Sequence, residues 1–182
     1  MIQTVEIKTF EQLHHLYRQS HRNPKRFLGY TTKMYVEPIK SLIEATGAKT
    51  LLDYGSEKGY QYLRRRVHEQ WGGILPHCYD PGVVGLAEKP EGTFDGVICC
   101  DVMEHIPEAL VDTTVAELFS YAKKFVLLGI SVVSSHKSLA DGTNAHCTVR
   151  EPAWWMERIA RCETGVRWEA WFTDESKVAT RG

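Results

Sequence analysis

Short apolar runs alternate along the chain with segments that carry apolar residues at helical spacing. This alternation predicts stacked βα units around a mainly parallel sheet. The runs predicted as strands cover residues 50–54, 74–79, 94–100 and 125–133. Their continuous apolar character is typical of strands that are covered on both faces. A further segment, 166–172, is predicted as an edge strand.

The segment between the third and fourth strands predicts the best-defined crossover helix. Pro107 suits the first turn of a helix, and apolar residues then recur at spacings of three and four. They are Val111, Val115, Leu118, Phe119 and Ala122. A shorter helix is predicted from Glu151 and Pro152 through Trp154 and Trp155.

The segment between the second and third strands is too short for a complete βα unit. Only thirteen residues separate Asp80 from Phe94, and several of them are Pro or Gly. We therefore expect a doubly wound α/β fold that lacks one βα unit. The chain is expected to form a single domain, with an N-terminal helical segment or lid at 1–46, an α/β core at 47–173 and a mobile tail at 174–182.

Composition limits the classes of partner. The 182 residues include 22 basic and 23 acidic side chains, so the net charge of −1 gives no overall attraction to nucleic acid or to a membrane. No run approaches the roughly 20 apolar residues of a membrane span, and no signal-peptide block opens the chain, so a cytoplasmic protein is expected. The five cysteines form no CxxC pair, which argues against a disulfide framework or a structural zinc site.

A glycine-bracketed turn, Asp53-Tyr54-Gly55-Ser56-Glu57-Lys58-Gly59, follows the first predicted strand. In open α/β sheets, ligands bind at this carboxyl edge. Glycine lets the backbone approach a ligand, and the helix expected to begin near Tyr60 offers amide groups to an anionic moiety. Glu57 occupies a position where a third glycine would be expected. A glutamate is tolerable there if it keeps a negative φ and points outward.

The second predicted strand ends at Asp80, 27 residues after Asp53. An acid at this point can accept hydrogen bonds from both hydroxyls of a ribose. The string Asp80-Pro81-Gly82 is equally typical of an ordinary turn, and the sequence leaves both readings open.

The third strand leads into the most specific stretch of the chain, "FDGVICCDVMEHIPE" at 94–108. With the glycine turn and Asp80 before it, this string resembles the class I S-adenosylmethionine-dependent methyltransferases over residues 30–160. The resemblance implies a Rossmann-like fold, S-adenosylmethionine as methyl donor and S-adenosylhomocysteine as product. It also implies residue roles: Asp53, Gly55, Ser56 and Gly59 hold the methionyl end, Asp80 holds the ribose, and Asp101 with Val102 forms the rim beside the methyl group.

Two histidines are candidates for a catalytic base, because the pKa of histidine lies near neutrality. His105 follows Asp101 by four residues, and His146 follows the fourth strand on the same edge. The alternatives are a supporting or helix-capping role for His105 and an ordinary exposed side chain for His146.

The acceptor is expected to be a small or medium-sized molecule methylated on oxygen or nitrogen. Trp154 and Trp155 are candidates to line its pocket together with His136 and His146, or else to bury area in the core. Residues 12–36 contain no acid and mix basic with aromatic side chains. That mixture suits nucleic acid, although core packing or an N-terminal lid is the favoured reading.

Three other functions remain open. Asp101, Glu104, His105 and His146 have a spacing similar to that of the metal-dependent small-RNA 3′-terminal 2′-O-methyltransferases, with Asp101 in place of a Glu; such ligands suit Mn, Fe or Zn. Glu57 and the shortened sheet are also compatible with a non-catalytic cofactor-binding protein. A NAD-dependent oxidoreductase shares the strand, loop and acid pattern but gives no role to residues 101–106.

Overall fold

The computed structural model describes residues 10–23, 26, 28–174, 176 and 179–181. A single sheet has the strand order β2-β1-β3-β4-β5-β6. The strands are β1 (Leu51–Tyr54), β2 (His77–Tyr79), β3 (Phe94–Cys100), β4 (Ala122–Ser131), β5 (Arg167–Thr173) and β6 (Ala179–Arg181). The α-helices are α1 (Phe10–His21), α2 (Val36–Thr46), α3 (Tyr60–Leu63), α4 (Val111–Tyr121) and α5 (Pro152–Cys162).

The predicted α/β architecture is confirmed, because strands β1 to β5 are all parallel. Strand β2 is shorter than predicted and begins after Pro76, which has no N–H to donate to a neighbouring strand. Strand β5 is not an edge strand, because β6 pairs antiparallel with it. This pairing also places Ala179–Arg181, part of the tail expected to be mobile, in the sheet.

Helices cover both faces of the sheet, and alternate residues of each central strand point to opposite faces. Helices α4 and α5 pack on one face, where Val97 of β3 and Val126 of β4 are fully buried. Helices α2 and α3 pack on the other face, against Ile98 and Leu127. The core therefore has three layers, with the sheet in the middle.

The connection between β2 and β3, residues 80–93, contains neither helix nor strand. This agrees with the expectation that a βα unit is lacking there. Because β2 and β3 flank β1 on opposite sides, the chain changes direction across the sheet next to β1. Ligand sites of doubly wound sheets lie at such a switch point. Within the described residues, no helix is both long and apolar enough to cross a membrane.

Candidate functional site

A cleft with a volume of about 90 Å³ lies at the carboxyl ends of β1, β2 and β3, beneath α1. This volume holds only several water molecules. Four residues expected at the cofactor site line it: Gly55, Asp80, Asp101 and Val102. Its remaining lining residues are Leu13, His14, Tyr17, His21, Glu57, Pro81, Gly82, His105 and Ile106.

The loop after β1 is held by its own hydrogen bonds. The amides of Gly55 and Ser56 donate to the carbonyl of Tyr79, at 2.8 and 3.0 Å, and the Glu57 amide donates to a carboxylate oxygen of Asp80 at 2.8 Å. The loop therefore has fewer amides to offer an anionic ligand than the sequence suggested. Gly55 has a φ of +83°, and a Cβ there would lie 2.3 Å from Val102, so no other residue fits without a shift.

A glutamate was expected to fit at position 57 with a negative φ and an outward side chain. Instead, the φ of Glu57 is +50° and its side chain points inward. The carboxylate accepts a hydrogen bond from the amide of Gly29 and lines the cleft. Burial raises the pKa of Glu57 to about 7, although the Gly29 hydrogen bond and Lys137 lower it in part. Lys58 does not reach this carboxylate; its Nζ donates to the carbonyls of Asn23 and Arg26.

We expect Glu57→Gln to change the pH dependence of stability. The folded-state pKa of about 7 lies above the ordinary value of 4.5, so the folded protein binds this proton more tightly than the unfolded chain. The resulting stabilisation is fully present below about pH 4.5 and is lost as the pH rises through about 7. Relative to Glu57→Gln, wild type should lose about 2 kcal/mol of unfolding free energy across that window, a figure discounted for partial solvent contact.

Urea unfolding of both proteins at a series of pH values measures this difference. The matched control is Glu91→Gln, which alters an exposed carboxyl group and should parallel wild type. A Glu57→Gln profile parallel to wild type would show that the carboxyl group is not perturbed.

Asp80 directly follows β2 and lines the cleft. One carboxylate oxygen accepts from the Glu57 amide, and the other accepts from the Gly82 amide, each at 2.8 Å. Burial raises its pKa to about 6. Asp80 therefore stabilises the turn at Asp80-Pro81-Gly82, one of the two roles that the sequence left open. A carboxylate has about four acceptor sites, so Asp80 keeps acceptor capacity for a ligand.

The remaining residues expected at the methionyl end do not line the cleft. Asp53 is buried, and its Oδ2 accepts hydrogen bonds from Tyr62 at 2.6 Å and Gln61 at 3.1 Å. Burial raises the pKa of Asp53 to about 6. Ser56 is also buried, and Gly59 precedes α3 with a φ of +65°. Asp53 thus ties β1 to α3.

Asp101 forms the rim of the cleft after β3, with a φ of +56°. Its amide donates to the carbonyl of Gly129 at 2.8 Å, and its Oδ1 accepts from the Tyr35 hydroxyl at 2.8 Å. Burial raises its pKa, although hydrogen bonds from Thr31 and Tyr35 lower it in part. Asp101 therefore lines the cleft while its Oδ1 is held by Tyr35.

Next to the cleft, the structure brings together Glu104, His105 and His146. One potential metal-ligating atom from each residue lies within 4.8 Å of those of the other two. Glu104 is 0% exposed, and its carboxyl oxygens make no hydrogen bond of good geometry within the described residues. Burial, followed by the nearby Asp101, raises the pKa of Glu104 well above its ordinary range. Asp101, the fourth residue of the predicted metal set, lies outside this cluster.

Both histidines of the cluster are oriented by backbone carbonyls. Nδ1 of His105 lies 2.7 Å from the carbonyl of Ala145, and Nδ1 of His146 lies 2.6 Å from that of Val133. Because a carbonyl only accepts, each Nδ1 carries the proton and each neutral ring has a lone pair at Nε2. Burial lowers the pKa of His105 to about 3 and also lowers that of His146. The lowered pKa values disfavour the predicted role of either histidine as a base. A ring N–H donated to a backbone carbonyl, in contrast, is common in histidines that bind a metal through the other nitrogen.

Helix α1, part of the segment expected to pack on the core or to form a lid, contributes Leu13, His14, Tyr17 and His21 to the cleft. The Tyr17 hydroxyl lies 2.6 Å from the carbonyl of Ala145 and 3.0 Å from Nδ1 of His105. Leu13 packs beside it on Leu139 and Ala145. The spacing of Leu13 and Tyr17 indicates one face of a helix, but the sequence does not reveal what that face contacts.

The aromatic acceptor pocket is not assembled. Trp155, on the buried face of α5, is fully enclosed in the core, and Trp154 is half-buried with the Arg158 guanidinium 4.7 Å from its ring centre. His136 is exposed. None of the three lines the cleft.

Comparison with known proteins gives no assignment, since no family model, curated protein or solved structure matches this chain. The cleft and the cluster beside it therefore carry the functional argument.

Proposed function

We propose that the protein binds S-adenosylmethionine in the cleft, which helix α1 must leave in part to make room, and transfers its methyl group to an oxygen or nitrogen of an acceptor. The observation that carries this proposal is the convergence of Glu57, Asp80 and Asp101 on one small cleft at the switch point of the sheet. Three carboxyl groups with raised pKa values favour a ligand that brings positive charge. The ammonium and sulfonium groups of the cofactor supply that charge.

The same side chains have separable roles in binding. Asp80 accepts hydrogen bonds from the ribose hydroxyls with its remaining lone pairs, and Asp101 faces the cationic end. Glu57 ionises when the cation arrives, because a neighbouring positive charge lowers a carboxyl pKa. The cofactor brings an already activated methyl group, so the protein mainly positions the acceptor and excludes water.

A dinucleotide fits this cleft less well. Its pyrophosphate needs amide donors at the loop after β1, but the amides of Gly55, Ser56 and Glu57 donate to Tyr79 and Asp80. The carboxylates of Glu57 and Asp80 would also repel the phosphates. A non-catalytic cofactor-binding protein shares the proposed binding site and differs only in turnover.

We expect calorimetry at neutral pH to show binding of S-adenosylmethionine and S-adenosylhomocysteine, and no binding of NAD. Binding of S-adenosylmethionine should release protons, because the pKa of Glu57 lies near 7 in the free protein. Titrations in buffers of different ionisation enthalpy measure that release. Asp80→Asn should weaken binding about 10-fold or more through lost ribose hydrogen bonds.

Asp112→Asn, which alters an ion pair with Arg158 away from the cleft, is the matched control and should bind as wild type does. Binding of NAD alone, or of neither sulfur nucleotide, would contradict the proposal. Binding without methylation of any acceptor would favour the non-catalytic alternative.

A second candidate function adds a divalent metal at Glu104, His105 and His146. One carboxylate and two imidazole lone pairs suit Mn, Fe or Zn better than Mg. In the described part of the chain, the only charge partner near the buried Glu104 carboxylate is His146, whose Nε2 lies 3.9 Å from Oε1. A metal would supply a stronger one. A bound metal would lower the pKa of an acceptor hydroxyl beside the cleft, as expected for a metal-dependent RNA 2′-O-methyltransferase.

A further inference from the structure

Two exposed arginines directly after α3 are stacked on tyrosine rings. The Arg64 guanidinium lies 3.8 Å from the ring centre of Tyr60, and that of Arg65 lies 3.7 Å from the ring centre of Tyr30. Leu63, between them in the chain, is 75% exposed. We call these five residues the arginine–tyrosine surface.

The charge of this surface is not balanced by neighbouring acids. No acidic residue occurs between Lys58 and His68, and neither Arg64 nor Arg65 forms an ion pair within the described residues. Five other arginines differ from Arg64 and Arg65, because each of the five has a carboxylate partner. These are Arg66, Arg150, Arg158, Arg161 and Arg167.

Stacking prepares the two arginines for a flat, anionic partner. A guanidinium held over a ring loses less freedom when it binds, and its other face and its N–H groups are available to a base or a phosphate. Single-stranded nucleic acid offers both kinds of group, and every base has a face that stacks. An acidic peptide offers charge without stacked rings, and a lipid surface would need more than one exposed leucine.

The arginine–tyrosine surface is connected to the cleft through two short segments of the chain. The amide of Gly29, next to Tyr30, donates to the Glu57 carboxylate, which lines the cleft. Helix α3, which carries Tyr60, begins directly after the loop that contains Glu57. These two connections are the basis for inferring that a strand bound at the surface extends toward the cleft.

We propose that the arginine–tyrosine surface binds single-stranded nucleic acid and presents one nucleotide to the cleft. The presentation of an acceptor rests on the proposed methyltransferase function, whereas binding of the strand does not. The acceptor class is then a nucleotide of a single strand rather than a small free molecule.

Fluorescence anisotropy with a labelled single-stranded RNA of about 12 nucleotides tests this binding. Arg64→Ala/Arg65→Ala should weaken binding about 10-fold or more and reduce the salt slope by about 1.4, for two phosphate contacts at roughly 0.7 each. Arg161→Ala/Arg167→Ala removes the same charge from exposed, ion-paired positions and should bind nearly as wild type does. Arg64→Lys/Arg65→Lys should restore only part of the affinity, because lysine does not stack as a plane.

Three results would overturn the proposal: no binding by wild type, equal losses in both alanine pairs, or full affinity with lysine at both positions. Equally tight, arginine-dependent binding of a poly-glutamate peptide or of phosphatidylserine vesicles would also overturn it. Calorimetry with S-adenosylmethionine on Arg64→Ala/Arg65→Ala separates the two proposals, because cofactor affinity should be unchanged. If the protein binds RNA but not the cofactor, the nucleic-acid proposal for this surface stands and the methyltransferase proposal is wrong.

Discussion

Excess zinc or manganese should raise the melting temperature of the wild-type protein, and Glu104→Gln should abolish this rise. A ligand present at 100 times its Kd adds about 2.7 kcal/mol to the free energy of unfolding. For a chain of this length, that corresponds to about 5–10 °C. Glu104 is fully buried beside both histidines, so its carboxylate is the charged ligand of the cluster.

Glu104→Gln is a suitable test because it preserves the shape of the side chain. Burial raises the pKa of Glu104 and so favours its neutral form in metal-free protein, which the glutamine resembles, and the change should therefore cost little stability there. Glu108→Gln, at an exposed carboxylate that pairs with Arg150, is the control and should keep the full response to metal. If metal still raises the melting temperature of Glu104→Gln, or fails to raise that of wild type, the proposed metal site is wrong.

Trp155→Ala should lower the free energy of unfolding by about 4 kcal/mol, because it leaves a large cavity between α5 and the sheet. Trp154→Ala should lower it by about 1 kcal/mol, because that ring is half-buried and loses mainly its contact with Arg158. Urea unfolding of both variants measures the contrast. Similar losses in the two variants would contradict the core position of Trp155 and revive the predicted acceptor pocket.

The sheet could be predicted from sequence because its strands are buried on both faces. Residues 97–100 and 125–128 are continuous apolar runs, and such runs are typical of strands covered on both faces. The pairing of β6 with β5 could not be predicted in this way. It depends on backbone hydrogen bonds between short segments, and Ala179–Arg181 carries no apolar pattern.

The candidate site was predictable at strand ends and less so between them. Asp80 and Asp101 follow their strands, and parallel strands place such residues at one edge. The inward turn of Glu57 depends on the amide of Gly29, which is 28 residues away in the chain. The position of Asp53 depends on the Tyr62 hydroxyl from α3. The pattern of neighbouring residues in the sequence contains no information about either hydrogen bond.

The hydroxyl of Tyr17 has a consequence for the order of folding. It contacts the carbonyl of Ala145, 128 residues further along the chain, and contacts of such long range form late because a large loop must close first. Helix α1 is synthesised early, but its docking must wait for the segment after β4. The cleft is therefore completed among the last steps of folding, and a partly synthesised chain lacks the complete cleft.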